Sequence, residues 1–206
     1  DGAIRMYSVD NATLNADYFQ GPAVGAAAGD GYCALLDPNA LRVFCLKPED
    51  GIETDIPCGI RTYTAMTKDD KRLYLGTSNY IVEAMEPLSQ QRSYIRKDDR
   101  VYMGLQTLPD YAVTAMAATG DQLWFAEKGG ALNRTDATGI EQFKAPVDIC
   151  SMVVFNDTPI LAKKYSGSVD LFDPSNPEGR TIALHKEAIS CLYRNGDRLY
   201  SASLDG

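Results

Sequence analysis

The chain is poor in the residues that usually build metal and redox sites. Among its 206 residues there is one histidine and one tryptophan. The cysteines are odd in number and show no C-x-x-C spacing, which argues against a disulfide framework or a zinc site. They are Cys33, Cys45, Cys58, Cys150 and Cys191. We therefore expect no metal and no cofactor, reduced buried thiols, and an intracellular location.

Long apolar runs and positive charge are also scarce. No segment approaches the roughly 18 apolar residues of a membrane helix, so no membrane association is expected. Twenty Lys and Arg face 28 Asp and Glu, a net charge of −8. A domain that grips nucleic acid through its phosphates needs a basic face, so direct nucleic-acid binding is not expected. The one basic cluster, in "RSYIRKDDRVYM", is interrupted by two aspartates and is interpreted as a solvated hairpin.

Alternating apolar and polar residues between tight turns are what the sequence does contain. An apolar alternating run ending in a polar turn occurs in "AVGAAAGDG", "TYTAMTKDD", "AVTAMAATGD", "CSMVVFNDT" and "ISCLYRNGD". Such runs predict half-buried strands. We interpret them as the innermost strands of a repeated unit, with Met66, Met116, Met152 and Leu192 at equivalent core positions.

Each of these runs is followed by a second repeated segment, and the spacing between its copies gives the period of the repeat. Its last position is marked by Tyr7, Phe44, Ala84, Thr135 and Phe172, about 37 to 51 residues apart. A period of about 40 is typical of propeller blades with four strands each. The final "LYSASLDG" continues into the initial "AIRMYSVD" like two strands joined by an Asp-Gly turn. These patterns predict one domain, residues 1–206, that closes as a ring.

The residues around that junction carry a family resemblance. "HKEAISCLYRNGDRLYSASLDG" followed by "AIRMYSVD" resembles the WD-repeat pattern. The resemblance implies an all-β, five-bladed β-propeller of WD-repeat type, closed by pairing of the N- and C-terminal strands. It also implies a structural tetrad in which His185 and Asp205 match, Ser201 or Ser203 supplies the hydroxyl, and Tyr7 stands where Trp is usual. Because the chain has one histidine, the other blades are expected to depend on packing.

A narrower similarity concerns the first third of the chain. The order "DGAIRMYSVD", "GPAVGAAAGDGYCALLDPNALRVFCLKPEDG" and "RLYLGTSNYIVEAM" resembles the propeller of CCCH zinc-finger proteins with C-terminal WD repeats. That resemblance implies a module of an RNA-associated, messenger-RNA processing or regulatory factor. The acidic charge implies that the propeller itself binds a protein or peptide. We expect a monomeric, non-enzymatic interaction scaffold.

Two alternatives remain open from the sequence. A small-ligand or sugar-binding propeller would repeat a polar, aromatic-lined pocket around the ring. A five-bladed glycoside hydrolase would place acids around a central funnel, yet Asp30, Glu127 and Asp148 are interpreted as turn residues. A Ser201, His185 and Asp205 triad is disfavoured because no G-x-S-x-G elbow surrounds the serine.

Partner-binding residues are expected in two places, because binding residues concentrate in loops on a rigid scaffold. Tyr and Arg are frequent interface anchors. The loops entering the innermost strands supply Arg61, Tyr63, Tyr111 and Lys186. The long step between Ala84 and Thr135 predicts an insertion in or near Glu86 to Asp110 that protrudes from the ring, with contact residues Tyr94, Arg96, Tyr102 and Met103.

Overall fold

Short strands joined by tight turns make up the computed structural model. It describes residues 3–7, 14–20, 24–29, 32–37, 40–45, 53–57, 62–89, 91–96 and 112–205. Within these ranges every regular element is a strand, which confirms the all-β prediction. No helix in the described ranges is long and apolar enough to cross a bilayer.

Four sheets have four strands each, and two hairpins have two. The N-terminal hairpin is β1 Ala3–Tyr7 and β2 Leu14–Gln20. Sheet 1 is β3 Gly25–Gly29, β4 Tyr32–Leu36, β5 Ala40–Cys45 and β6 Glu53–Pro57. Sheet 2 is β7 Tyr63–Lys68, β8 Leu73–Thr77, β9 Val82–Met85 and β10 Arg92–Arg96. Sheet 3 is β11 Val113–Thr119, β12 Gln122–Glu127, β13 Ala131–Asp136 and β14 Gly139–Lys144. Sheet 4 is β15 Ile149–Phe155, β16 Thr158–Lys163, β17 Ser168–Asp173 and β18 Asn176–Leu184. The C-terminal hairpin is β19 Ile189–Asn195 and β20 Arg198–Ser203.

Each sheet is an antiparallel meander whose strands follow one another in chain order. The five runs predicted as innermost strands are β3, β7, β11, β15 and β19. Neighbouring members of this series contact one another, from β3 and β7 through to β15 and β19. The sequence therefore located the first strand of every unit correctly.

The core lies between successive sheets. One cluster joins Trp124 and Leu132 of sheet 3 to Met152, Leu161 and Phe172 of sheet 4. Fully burying a side chain of this size contributes about 1.5–3 kcal/mol relative to leaving it exposed. The rings of Trp124 and Phe143 stack with centroids 5.8 Å apart. Because sheets 2, 3 and 4 each contribute to core clusters with both neighbours, none of them has a core of its own.

The predicted equivalent positions share one register. Met66 lies opposite Leu75, Met116 opposite Phe125, and Met152 opposite Leu161. Met116, Met152 and Leu192 are buried, and Met66 packs partly buried against the cluster between sheets 1 and 2. Their assignment to the core is confirmed.

A β-bulge recurs at the start of four innermost strands. The pairing register skips one residue between Tyr63 and Ala65, Val113 and Ala115, Ile149 and Ser151, and Ile189 and Cys191. The skipped residues are Thr64, Thr114, Cys150 and Ser190. A bulged residue stands outside the ladder, and the bulge turns its side chain away from the direction that regular pairing would impose.

The two hairpins differ from the four complete sheets because each has only two strands among the described residues. The N-terminal hairpin and the C-terminal hairpin form separate two-stranded sheets in the strand order of the described residues. The expected pairing of Ile4–Tyr7 with Leu199–Ser203 is not among the described strand pairings. The closed five-bladed ring therefore stays a prediction.

The insertion lies partly outside the described residues. Its beginning forms β10, which pairs with β9 through Arg92 opposite Met85. Residues 97–111, including Tyr102 and Met103, lie outside the described ranges. Its expected protrusion from the ring also stays a prediction.

Candidate interaction surface

The loops at one end of the sheets form a continuous surface, which we call the entry face. It comprises residues 78–81, 128–130, 145–148, 164–167, 184–188 and 204–205. These loops meet because the first strand of each unit begins where the second ends, as in the pairing of Ile149 with Lys163. The opposite end, which we call the hairpin face, comprises the turns at 69–72, 120–121, 137–138, 156–157, 174–175 and 196–197.

Backbone hydrogen bonds tie the entry-face loops to one another. The Lys164 amide donates to the Asp148 carbonyl at 2.8 Å, and the His185 amide donates to the Gly167 carbonyl at 2.8 Å. The Leu204 amide donates to the Ala188 carbonyl at 3.1 Å. These bonds satisfy main-chain groups that irregular segments often leave unpaired. These loops are therefore held together through their main chains.

Large apolar side chains project from the same loops. Tyr165 and Leu184 are each 78% exposed, and Leu204 is 77% exposed. Val147, in the neighbouring loop, is also largely exposed. The Lys164 ammonium lies 5.4 Å from the Tyr165 ring centroid. Exposed apolar side chains grouped within linked loops indicate an interaction site more often than single scattered ones do.

His185, Ser201 and Asp205 come together at this face. His185 Nε2 lies 2.7 Å from Ser201 Oγ, and His185 Nδ1 lies 3.5 Å from Asp205 Oδ1. Asp205 Oδ2 also accepts a hydrogen bond from the Lys186 amide at 2.8 Å. That bond, with those from Ser203 and His185, holds the Asp205 pKa below its usual range. The carboxylate therefore fastens the 184–188 loop to the end of β20.

Two details refine the predicted tetrad. Ser203 donates to the Glu187 carbonyl at 3.0 Å, so Ser201 is the hydroxyl next to the histidine. The His185 side chain is 26% exposed, because the 184–188 loop lies at the surface. The side chain of Tyr7 lies outside the described residues.

The arrangement of these three residues lacks the setting of a hydrolase. A triad serine works beside free amide donors that stabilise an oxyanion. Ser201 lies mid-strand in β20, paired opposite Leu192, and not at the exposed turn that a nucleophile elbow provides. The geometry therefore fits a structural clamp better than a nucleophile.

Two predicted contact residues lie inside the protein. Tyr63 is 1% exposed and belongs to the core between sheets 1 and 2. Arg96 has a side chain only 6% exposed and is an internal ion-pair partner, not a surface contact. Lys186 is exposed and Tyr94 is 47% exposed, as surface contacts require. Arg61, Tyr102 and Tyr111 lie outside the described residues.

The environment of Arg96 links sheet 2 to sheet 3. Its Nη1 pairs with Glu127 Oε1, and its Nε donates to the Tyr80 carbonyl at 2.7 Å. The guanidinium carbon lies 3.9 Å from the Tyr80 ring centroid and 4.6 Å from that of Phe125. Asn133 Nδ2 donates to Glu127 Oε1 at 2.8 Å. Glu127, interpreted from the sequence as a turn residue, is instead a buried strand-end carboxylate.

A second buried carboxylate lies in sheet 4. Asp170 accepts hydrogen bonds from Ser168 Oγ at 2.8 Å and Thr181 Oγ1 at 2.7 Å, and Lys163 Nζ lies 3.3 Å away. The expectation that units other than the last depend on packing alone was therefore wrong. The signal available in the sequence was a polar residue within an apolar third strand, as at Asn133 and Asp170.

A cavity of about 540 Å³ opens where the innermost strands of sheets 2, 3 and 4 and β19 converge. We call it the axial pocket. Its described lining includes Thr64, Thr114, Cys150, Ser190, Lys128, Lys164 and Asp148. Asp148 is the one carboxylate among these lining residues, whereas glycoside hydrolysis needs two. The lining residues are also not aromatic, so neither alternative from the sequence gains support. Among the described side chains, no group of three or more His, Cys, Asp and Glu is arranged to hold a metal ion.

The hairpin face is built differently. Asp69 Oδ1 accepts hydrogen bonds from the amides of Lys71 and Arg72, each at 2.7 Å, while Tyr74 donates to Asp69 Oδ2 at 2.6 Å. Burial raises the Asp69 pKa, but these hydrogen bonds outweigh it and hold the pKa below its usual range. Burial and the bond to Asp69 raise the pKa of Tyr74 to about 12. Asp136 and Asp173 close their own turns in the same way.

Comparison with known proteins supports the fold. No protein-family model matches the chain. No curated protein is a detectable sequence relative. A solved structure of the computationally designed Ika8 protein is similar over 100% of this chain and 76% of its own, with 14% identity and a TM-score of 0.62. A chain of the mitotic checkpoint complex matches 86% of this chain with 12% identity and a TM-score of 0.66. The structure of U3-55K matches 85% with 15% identity and a TM-score of 0.64.

These similarities establish the architecture of the fold but not its finer details. The checkpoint-complex and U3-55K structures are WD40-type propeller proteins. The chain spans little more than half of their lengths, 57% and 56%. At such low identity the similarity concerns architecture alone. The chain has an all-β, propeller-like fold of successive antiparallel sheets.

Proposed function

We propose that this protein is a non-enzymatic scaffold that binds a protein partner through its entry face. The observation that carries the proposal is the exposure of Tyr165, Leu184 and Leu204 on loops whose main chains are hydrogen-bonded to one another. Rigid loops lose little conformational freedom on binding, and aromatic and apolar anchors supply most interface energy. The known propellers that it resembles include a component of a multi-protein complex.

Substitution of the three anchors tests this role. The triple variant Tyr165→Ser, Leu184→Ser, Leu204→Ser keeps every described main-chain hydrogen bond of the face. Leu88→Ser with Ile140→Ser is the matched control, since both residues are exposed but lie outside the entry face. Affinity capture followed by mass spectrometry should lose its specific partners with the triple variant and retain them with the control. Equal capture by both variants would contradict the proposal.

The sequence resemblance extends the proposal to an RNA-associated factor in the cell interior. The acidic balance of the chain, with 28 acidic and 20 basic residues, supports a protein-mediated link to RNA. The three cysteines whose side chains the structure describes are free thiols, which is consistent with a reducing compartment. Cys33 and Cys150 are only partly buried and Cys191 is exposed, so the expectation of buried thiols was wrong for these three. Captured partners should therefore be RNA-associated proteins, and their capture should survive nuclease treatment. Partners that are lost with nuclease would point to direct RNA binding instead.

We further propose that the ring is closed by pairing of β1 with β20, which gives five blades in one monomeric domain. The described residues form four sheets of four strands each, and the two remaining hairpins have, together, the four strands that a fifth sheet would need. An isolated two-stranded hairpin is marginally stable in water, so pairing is favourable. Tyr193 and Tyr200 of the C-terminal hairpin are exposed and pack on each other with centroids 6.1 Å apart.

Hydrogen exchange tests closure directly. Amides of β20 that point away from β19 should be protected in the full chain and should lose protection when residues 1–10 are deleted. Amides of β12 in sheet 3 provide the internal control, since their partners are unchanged. Outward β20 amides that exchange freely in the full chain would exclude the pairing. Concentration-dependent protection would indicate that a second copy supplies the strand.

A further inference from the structure

The axial pocket combines four features that point to an anionic ligand. The recurring bulges present Thr64, Thr114, Cys150 and Ser190 to it from four successive innermost strands. Small hydroxyl and thiol groups are hydrogen-bond donors that leave room for a ligand.

Three of these four groups already bond to main-chain carbonyls, whereas the fourth does not. Thr114 Oγ1 lies 3.5 Å from the Ala126 carbonyl, Cys150 Sγ 3.5 Å from the Ala162 carbonyl, and Ser190 Oγ 3.2 Å from the Ala202 carbonyl. The Thr64 hydroxyl oxygen is buried and has no partner within the described part of the chain. A buried hydroxyl without a partner costs about 1–3 kcal/mol. A ligand oxygen in the pocket would offset that cost.

Positive charge lies at the rim. Lys128 and Lys164 occupy equivalent positions, since each amide donates to the residue just before the innermost strand of its own sheet, Ala112 and Asp148 respectively. Neither ammonium forms an ion pair with another residue that the structure describes. With Asp148 as the one carboxylate in the described lining, the pocket carries a net positive charge in a chain of net charge −8.

We propose that the axial pocket binds a carboxylate of the protein partner, held by Lys128 and Lys164 and reached by the Thr64 hydroxyl. This proposal rests on the proposed scaffold function. It specifies that the partner carries an acidic group, and that apolar side chains of the partner beside this group contact Tyr165 and Leu204. Two flexible ammonium groups suit a carboxylate, because charge-assisted hydrogen bonds are stronger than neutral ones. A volume of about 540 Å³ accommodates an acidic side chain and its adjoining peptide.

Short capped peptides test the pocket without the unidentified partner. The probes are acetyl-Gly-Glu-Glu-Gly-amide, its Gln-Gln analogue, and the Gln-Gln peptide with a free C-terminal carboxylate. Binding to the full chain is measured by NMR titration at low ionic strength. We expect the Glu peptide or the free-carboxylate peptide to shift the signals of Thr64 and Thr114, and the neutral peptide to leave them unchanged. The two charged probes distinguish a side-chain carboxylate from a chain terminus.

Charge-matched variants make the test specific. Lys128→Gln with Lys164→Gln should weaken the charged peptide about tenfold or more, as loss of charge-assisted bonds requires. Lys68→Gln with Lys71→Gln removes the same charge from the hairpin face and should change affinity less than twofold. The proposal would be overturned if both pairs of variants lost the same affinity for the charged peptide, or if the neutral peptide bound equally well. NMR shifts confined to residues outside the axial pocket would also overturn it. Binding of inorganic phosphate but of neither charged peptide would also overturn it.

Different results would contradict the scaffold function and the carboxylate site. If the scaffold function is right and the carboxylate site is wrong, the triple anchor variant loses partner capture while the Lys128 and Lys164 variant retains it. If the carboxylate site is right and the scaffold function is wrong, the charged peptide binds while the anchor variant captures as much as its control.

Discussion

The two faces of the sheets solve the same problem of turning the chain by different means. On the hairpin face, side chains close the turns: the carboxylates of Asp69, Asp136 and Asp173 accept hydrogen bonds from amides two or three residues onward. On the entry face, main-chain groups of different loops bond to each other, as in His185 with Gly167. Side chains also bond to the main chain on the entry face, as Asp205 does to the Lys186 amide, but Tyr165, Leu184 and Leu204 remain exposed there.

This difference shows why function is expected at one end. A carboxylate engaged in its own turn is already satisfied and offers little to a partner. The cleft of about 650 Å³ on the hairpin face is lined by such turns, including Asp69 and Asp136. The entry face instead exposes Tyr165, Leu184 and Leu204. Substitutions at the two faces test this difference between them.

The largest effect is expected at the buried charges that hold the entry-face loop of Tyr80. Arg96→Met leaves Glu127 buried without its cation, and breaking a buried pair costs about 3–5 kcal/mol of unfolding free energy. Urea denaturation measures the loss. Arg134→Met is the control, because the Arg134 and Glu141 side chains are 34% and 53% exposed and such pairs contribute about 1 kcal/mol or less. Equal losses would show that the Arg96 pair is not a special link between sheets 2 and 3.

The next effect concerns the close approach of two entry-face loops. A Cβ added at Gly167 would lie 2.2 Å from the His185 carbonyl oxygen, so Gly167→Ala must displace the 184–188 loop. Overpacking of this kind costs about 1–3 kcal/mol. Gly25→Ala meets only ordinary contacts, with Met66 Cβ at 3.5 Å, and should be nearly neutral. Thermal unfolding of both variants tests this, and a stable Gly167→Ala protein would contradict the tight loop contact.

A smaller effect is expected from His185→Ala. Because the ring is partly exposed, losing its bonds to Ser201 and Asp205 should cost about 1 kcal/mol. A double-mutant cycle with Ser201→Ala isolates the pair, since residues in contact give non-additive losses. Additive losses would show that the observed 2.7 Å contact contributes no coupling.

The smallest effect is a pH dependence on the hairpin face. The folded-state pKa of Tyr74 is raised to about 12 from 10.0, so its contribution is complete below pH 10 and is lost as pH rises toward 12. The depressed pKa of Asp69 acts oppositely: its contribution is present above the ordinary aspartate range and is lost as pH falls below it. Tyr74→Phe should flatten the alkaline loss in a pH series of denaturation midpoints. An unchanged alkaline profile in Tyr74→Phe would contradict this assignment.

Local patterns predicted the strands but not the partners of buried polar groups. The innermost strands were found because alternation and turn residues are both properties of neighbouring residues. Arg96 was placed on the surface because "RSYIRKDDRVYM" is locally charged, whereas its partner Glu127 lies in the next sheet. Tyr63 was misassigned for a similar reason: its burial depends on packing between sheets 1 and 2.

The last-unit cluster was predictable to a greater extent. The resemblance to the WD-repeat pattern implied that His185 and Asp205 lie close together, and the structure brings them to 3.5 Å. The choice between Ser201 and Ser203 did not follow, because both lie on the same side of a strand with a period of two. The structure resolves it through the separate bond from Ser203 to Glu187.

The recurring bulge gives each innermost strand two roles, packing between sheets and lining the axial pocket. Residues on either side of a bulge, such as Ile149 and Met152, are buried, while the skipped residues line the axial pocket. Four neighbouring units accordingly carry threonine, threonine, cysteine and serine at this position with the same strand pairing. The lining of the axis can therefore change by single substitutions while the architecture that supports it is inherited unaltered.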